Sequence, residues 1–479
     1  MKYKVLIIAL GSALFLQACS LTPDYVQPAS PVASKWPKGD AYATQSNDAS
    51  TAIETGWRQF FNDETLKQLI ATALENNRDL RVAALNVDAY RAQYRIQRSG
   101  LVPDIGISSS GTRQRLPADL SGMGSDIIAS QYDAGLSVSF ELDFFGRIRS
   151  MSQAALENYL ATEEARRSAH ITLVAEVANA YLALKADQEL LTLTRNTVST
   201  YEDAYALVKR SYEAGAVSEM NVRQAESALA DAQALLKQYT RQVAVNMNGL
   251  QLLLGTQLPA GLDNSKPLAD SILSPVSVGV PSELLLNRPD ILFAEHQLLA
   301  ANANIGAARA AFFPSISLFG QAGTASSEMS GLFEGGSGSW SFMPSVNIPV
   351  FNAGRLSASL DYAEIQKGIH VAQYEKTIQN AFREVADGLA ARGTFSEQLA
   401  AQKKRVDSTQ RYYSLANTRY KAGIDSYLTV LDAQRQLLGA QQQVVVVQLA
   451  KLSSEVLLYK ALGGGWHENG QATMQGRDG

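Results

Sequence analysis

The chain has 479 residues, 46% of them hydrophobic and 18% charged, with a formal net charge of −4 at pH 7. That balance excludes wholesale disorder and gives no electrostatic footing for a nucleic-acid partner. A single cysteine, Cys19, excludes any disulfide within the chain.

Lys2 and Lys4 precede an apolar run from Val5 to Leu16, which ends in Leu16-Gln17-Ala18-Cys19. A charged start, a short apolar stretch and small residues at its end read as a secretory signal over residues 1–18, not as a spanning helix. Its removal takes two bases and no acid, leaving 40 basic against 46 acidic groups. Residues 20–50 are rich in Pro, Ser, Ala and Thr without any period, as expected of an extended arm. Around Gly56-Trp57-Arg58-Gln59-Phe60-Phe61 the chain turns aromatic, so residues 19–62 lead from the arm into the start of a packed collar.

A helix is expected from about Asp63 to Arg98. After Pro103 the period switches from about 3.6 to 2, first over about Asp104 to Arg113 and then in a return strand from Gln131 to Leu142. In the return strand Tyr132, Ala134, Leu136, Val138, Phe140 and Leu142 share one face, and Asp133, Gly135, Ser137, Ser139 and Glu141 share the other. From Arg147 to Ala214 there is neither Gly nor Pro, and Ile171, Val174, Val177 and Tyr181 recur at steps of three and four. One uninterrupted helix of that length would reach roughly 100 Å. A rod like this spans a distance.

The long helix ends at Gly215, where a left-handed cap lets the chain reverse into a shorter helix from Ser218 to about Leu254. Residues 63–255 therefore make one unit, and residues 256–281 a loop-rich linker. Residues 282–463 then write the unit again. Adding 208 turns Gly146-Arg147 into Gly354-Arg355, Tyr212-Glu213-Ala214-Gly215 into Tyr420-Lys421-Ala422-Gly423, and Leu254-Gly255 into Leu462-Gly463. Upstream, Asn76, Asp79, Ala83, Arg98 and Pro103 match Asn287, Asp290, Ala294, Arg309 and Pro314 at an offset of 211. This is an internal duplication. The second hairpin spans about Ser315 to Thr324 and a return with Trp340, Phe342, Pro344, Val346, Ile348 and Val350 on one face. The second long helix covers about 355–422, its return helix Ser426 to about Leu462, and residues 464–479 form a polar tail expected to be loose after Trp466.

Strands of about ten residues with one apolar and one polar face fit a membrane barrel, with lipid outside and water within. A soluble sandwich shows the same alternation, but four strands enclose too little for a sandwich core. The serine-bearing face also lacks any obvious covering layer. Open edges are not tolerated in lipid, and four strands cannot close a ring, so the barrel must be shared between subunits. Chemistry is sparse by comparison. His170, His296, His370 and His467 have no partner at metal-ligand spacing, no nucleophile elbow or phosphate loop occurs, and Gly335, Gly336 and Gly338 suit a hairpin turn. Nothing in the chain supports an enzyme, and no metal is expected.

Leu16-Gln17-Ala18-Cys19 resembles the bacterial lipobox. So do larger stretches resemble one family: the doubled unit, Ala310-Ala311-Phe312-Phe313-Pro314-Ser315-Ile316, Glu141-Leu142-Asp143-Phe144-Phe145-Gly146-Arg147 and Tyr420-Lys421-Ala422-Gly423-Ile424-Asp425-Ser426-Tyr427-Leu428 are similar to the outer membrane factors, in particular their lipoprotein branch. The resemblance covers nearly the whole mature chain. It implies an α+β membrane protein, a homotrimer whose four strands per chain close a 12-stranded β-barrel continued into an α-helical coiled-coil tunnel in the periplasm. It implies no cofactor beyond an N-acyl chain and S-diacylglycerol on Cys19, and Ser20 after it is compatible with sorting to the outer membrane. The implied partners are outer-membrane lipid, a periplasmic adaptor (membrane fusion) protein docking at the tip turns Gly215 and Gly423, and an inner-membrane pump of the RND type. The implied role is the exit channel of a tripartite multidrug efflux pump. The same duct could serve metal-ion or protein export, and a non-conducting envelope-spanning lipoprotein is the alternative from another class.

Leu428 and Asp432 are four apart and so share one face of the returning helix. By resemblance that face lines the periplasmic mouth, with Leu428 closing it and Asp432 setting a negative ring. The first copy has Met220 and Gln224 there, so the acid is not repeated. Tyr420, Arg419 and Asp187 resemble the family's latch, which holds the tips inward.

Overall fold

The computed structural model describes residues 20–42, 51–260, 262 and 267–469. Cys19, the 1–18 signal and the end of the tail lie outside the described residues. The chain divides into two compact units, each described by itself. One gathers Asn86–Glu163 and Phe293–Glu375 with the described arm as far as Ala29; the other takes Ser30–Leu85, Glu164–Leu292 and the residues from Lys376 on.

The first unit holds one sheet. Strands β1 (Asp104–Leu116), β2 (Ile127–Leu142), β3 (Ser315–Ser326) and β4 (Gly338–Asn347) lie in the order β1-β2-β3-β4, all antiparallel. The four-residue helix α4 (Ala118–Ser121) tops the first hairpin. The first three strands run a few residues further at the hairpin ends than the alternation indicates. The fourth stops at Asn347, short of the expected Val350, because Pro349 has no N–H to donate to a ladder. In register, Ile107 faces Leu136, Leu136 faces Ala322, and Ala322 faces Trp340, so the predicted apolar sides merge into one continuous face. That face is bare: Ile107 is 85% and Trp340 81% exposed. Gly135 and Gly323 pair directly on the opposite face, where a Cβ on Gly323 would lie 2.2 Å from the Ala134 carbonyl oxygen. No larger residue fits between β2 and β3 there.

The arm lies extended along the parts of two helices that belong to the same unit, the start of α5 (Arg147–Glu213) and most of α8 (Pro289–Ala310). Thr22 Oγ1 is 3.1 Å from Ser150 Oγ, Asn302 Nδ2 donates to the Pro23 carbonyl at 2.7 Å, and Tyr25 donates to Glu295 at 3.2 Å. Gly306 leaves room for Thr22, whose Oγ1 would be 2.2 Å from a Cβ there.

The helix expected over residues 63–98 is two helices, α2 (Glu64–Asn76) in the second unit and α3 (Arg78–Ser99), which starts there and ends in the first. The cause is Asn77, which leaves the helix at φ −62°, ψ 133°. Its Oδ1 accepts from Leu80 N–H at 2.9 Å, capping α3, while its Nδ2 donates to the Leu253 carbonyl at 2.9 Å. The second copy repeats the break at Arg288, between α7 (Pro281–Asn287) and α8, with Pro289 opening the next helix. Arg288 is 7% exposed. It donates to the Ala461 carbonyl at 2.8 Å, to both oxygens of Asp290 and to Glu384 at 2.9 Å. Leu253 and Ala461 differ by the repeat offset and end the return helices α6 (Glu219–Leu254) and α10 (Tyr427–Ala461). Each joint thus ties a helix break to an orphan carbonyl of a neighbouring helix terminus. The long helices α5 and α9 (Arg355–Lys421) have 67 residues each.

The collar starts at the short helix α1 (Trp57–Phe60), where Phe60 stacks on Tyr459 at 3.9 Å and Tyr459 donates to the Thr55 carbonyl at 2.6 Å. The first residues after Trp466 are held by backbone pairing. Trp57 N–H donates to the His467 carbonyl at 3.0 Å and Arg58 N–H to that of Glu468 at 3.2 Å, because the start of α1 leaves those donors free. Trp466 packs edge-on against His170 at 4.9 Å. Burial pushes the His170 imidazole down to about 4, only partly offset by a hydrogen bond with the Gly465 backbone. The unfolded chain takes up this proton near pH 6.5 and the folded chain only near pH 4, so stability is present above 6.5 and lost as pH falls towards 4. The loss amounts to about 3 kcal/mol. His170→Gln is expected to flatten the fall of the thermal midpoint between pH 7 and 4; an equal fall in both proteins would assign the acid sensitivity elsewhere.

Candidate functional site

Two helical hairpins carry the predicted site. α5 ends at Glu213 and α9 at Lys421, and each reverses through a glycine in the left-handed region, Gly215 at φ 77° and Gly423 at φ 74°. Gly423 N–H donates to the Tyr420 carbonyl at 2.9 Å and Ile424 N–H to that of Arg419 at 2.9 Å; Gly215 and Ala216 do the same with Tyr212 and Ser211. These paired bonds are Schellman caps, which satisfy the last carbonyls of a long helix while turning the chain. Among the described residues, apart from the glycine's chain neighbours, nothing lies within 4 Å of where a Cβ would sit on either glycine, so each turn presents an open surface.

Beyond Gly423, α10 has two distinct faces. Tyr427, Val430, Leu431 and Ala433 are buried with Val198, Tyr201 and Val208 of α5, Val222, Ala225 and Ala228 of α6, and Ala416 of α9. The opposite stripe is exposed: Leu428 at 54%, with Asp432, Arg435 and Gln436. Gln436 Nε2 donates to Asp432 Oδ2 at 2.7 Å. The expected pair Leu428 and Asp432 therefore does share a free face. Met220, the first-copy counterpart, is also exposed, and Gln224 is half-buried.

The expected latch is not assembled within one chain. Arg419 donates to Asp425 at 2.7 and 3.0 Å across its own turn, and that hydrogen bond holds the Asp425 carboxyl below the usual range. The Tyr420 ring lies 5.6 Å from Tyr427. Asp187 instead accepts from Asn246, and burial raises its pKa. The reason is axial distance. Tyr201, clustered with Tyr427, lies fourteen residues further along α5 than Asp187, or about 20 Å.

Sequence reading missed Asp425, whose signal was a charge six residues from Arg419 across a glycine turn. It also missed a tyrosine cluster: Tyr201, Tyr413 and Tyr420 surround Tyr427, where burial first and these rings second push its hydroxyl up to about 12. Tyr413 accepts from Gln434 Nε2 at 3.3 Å. The Tyr201 hydroxyl and Gln434 Oε1 are buried with no hydrogen-bond partner among the described residues.

The membrane-facing part must come from the sheet, since no helix among the described residues is long and apolar enough to cross a membrane. Trp340 and Val346 are both exposed on the apolar side of β4 and six residues apart, about 20 Å of strand to set against lipid. β1 and β4 each have a single partner and leave one edge unpaired within the chain. In lipid those edges require other strands.

The family described as outer membrane efflux protein matches residues 69–256 and 280–464, two stretches that begin 211 residues apart like Asn76 and Asn287. The chain is 58% identical over 467 residues to the toluene efflux pump outer membrane protein TtgC of Pseudomonas putida, covering 97% of this chain and 96% of that protein. A crystal structure of a membrane protein from Pseudomonas aeruginosa is 44% identical at a TM-score of 0.87, covering 93% of this chain and 100% of that one. The open state of the MtrE outer membrane channel of Neisseria gonorrhoeae is 38% identical at a TM-score of 0.85, covering 95% and 100%. The fold class is that of these trimeric channels, in which each chain contributes four strands to a shared twelve-stranded barrel and long helices to the tunnel below it. With its duplicated units, its edge-open sheet and its paired helical tips, the chain belongs to the outer membrane efflux protein family and is the outer-membrane channel of an efflux pump.

Proposed function

We propose that the channel is a passive, lipid-anchored exit duct, opened and closed where α10 begins and carrying apolar drugs and aromatic solvents delivered from the inner membrane. The observation that carries the gate is the exposed Leu428–Asp432 stripe on a helix whose other face is fully packed. Leu428 and Asp432 are not packed under their own chain and are free to meet their copies. The relative named for toluene efflux supports the cargo class, and the relative described in an open state supports a mouth with more than one state. Gly215 and Gly423 offer open turns to a periplasmic adaptor, and an RND-type pump in the inner membrane supplies the driving force. Current through purified trimers in planar bilayers tests the duct: a trimer that inserts yet passes no ions would be a tether.

The anchor is Cys19, carrying an N-acyl chain and S-diacylglycerol once residues 1–18 are removed. Thr22 is fixed against Ser150, one helical turn after Gly146, and against Gly306, shortly before β3. Three residues of chain span at most about 10 Å, so an anchor on Cys19 is tethered within that reach of Thr22. Two or more acyl chains make such an anchor stable. Intact-mass spectrometry is expected to find acyl mass on the mature protein and none on Cys19→Ala; acyl mass on the variant would place the lipid elsewhere.

A further inference from the structure

One row of residues crosses all four strands on the serine-bearing face: Asp104 opposite Ser139, Ser139 opposite Phe319, Phe319 opposite Met343. In a closed barrel this face lines the bore. Apart from the outer end, where Leu116 meets Ile127, its side chains are Ser, Thr, Gly, Ala, Asn, Gln, Asp and Glu except for Phe319 and Met343. A water-filled passage has no need of a phenyl ring beside a thioether. Met343 is 54% exposed, so the pair is not hidden beneath a core.

Phe319 also lines a cavity of about 640 Å³ with Asp104, Ser139, Glu141, Arg147 and Met151. That volume suits a drug-sized molecule. Its charges are unequal. Arg147 Nη2 donates to both oxygens of Glu141 at 2.8 Å, so these two neutralise each other. Asp104 is exposed and has no ion pair or side-chain hydrogen bond among the described residues. Val102, Phe140, Ile148 and Leu318 are also in its wall, so the cavity combines aromatic and aliphatic surface, the Met151 thioether and one carboxylate without an ion pair.

We propose that this cavity, with Met343 at its border, is a transient binding station for amphiphilic aromatic cations inside the barrel. Phe319 offers its ring face to cationic and aromatic groups, the thioethers pack against aromatic edges, and Asp104 selects positive charge. Neighbouring strands are about 4.8 Å apart, so Asp104 and Phe319, separated by one strand, are about 10 Å apart and can be bridged by one multi-ring molecule. The duct then has a preference of its own. The proposal rests on the channel reading, since the face is a bore only in a closed barrel.

The test is block of single-channel potassium current by tetraphenylphosphonium in planar bilayers, with tetraphenylborate as the anion of the same shape. The parent is expected to be blocked reversibly by the cation and far less by the anion. Phe319→Ser with Met343→Ser should raise the half-blocking concentration about tenfold, and Phe319→Leu, which keeps the volume, should raise it in the same direction. Asp104→Asn should narrow the difference between cation and anion. Equal block of parent and Phe319→Leu, equal block by both ions, or no block of a conducting parent would overturn the station while leaving the channel intact. A parent without any current would remove the channel reading and the station with it.

Discussion

Replacing Arg288 by Met is expected to cost the fold about 3 kcal/mol, measured as a loss of unfolding free energy in denaturant. The guanidinium touches three acceptors at this joint: Asp290, Glu384 and the Ala461 carbonyl. Removing one member of a buried charge cluster leaves the others without compensation, and that residue of unpaired charge sets the cost more than the lost attraction does. Asp290 and Glu384 keep about 40% of their side-chain surface in contact with solvent, so water takes back part of the loss and holds it at the low end of the range for broken buried pairs. The Ala461 carbonyl has no such relief, being the acceptor of a fully buried bond. Arg288→Lys should fall between parent and Met, because an ammonium restores the charge but not the planar fork that serves three acceptors at once. A Met variant as stable as the parent would mean that the joint closes without the cluster.

This joint also marks where reading the sequence stopped. The strands were legible because lipid on one side and water on the other impose a period of two that no other force blurs. The long helices were legible because nothing in 67 residues interrupts them. The break at Asn77 was not, since Asn76-Asn77-Arg78 contains neither Gly nor Pro and an asparagine can sit within a helix as well as cap one; here Oδ1 caps α3 through Leu80 N–H while Nδ2 is held by the Leu253 carbonyl across the fold. Pro289 in the second copy carried the signal, and the offset of 211 transfers it back to Arg78. The tail residues His467 and Glu468 were read as loose for a similar reason: their acceptors serve backbone donors of α1, and backbone pairing leaves no trace in side-chain pattern. That Asp187 lies about 20 Å along α5 from the tyrosine cluster next to Tyr420 depends on how the helices are staggered, which spacing in sequence does not encode. Phe319 and Met343 escaped because alternation is judged on one strand at a time. Only the register sets them side by side.

Leu428→Ala combined with Asp432→Ala is expected to raise single-channel conductance several-fold over the parent. In one chain Leu428 exposes more than half of its surface, and meeting its two copies would bury roughly 1 kcal/mol per chain of apolar contact. That contact is what the alanine removes. The packing behind it favours a shift rather than resisting one: the Tyr201 hydroxyl and Gln434 Oε1 are buried without partners, and an unsatisfied buried pair is a cost that a small displacement of α10 against α5 can relieve. Asp432 acts differently. Three carboxylates at one level attract cations and repel one another, effects that salt reduces over about 10 Å at 0.1 M. Asp432→Ala alone should therefore lower the cation-to-anion permeability ratio, most clearly at low salt, with a modest gain in conductance. Leu428→Ala alone should raise conductance and keep the selectivity. The two readouts separate a plug from a filter. If the double variant conducts like the parent, neither residue stands at the constriction, and the exposed stripe of α10 would have to be explained as a surface for another chain.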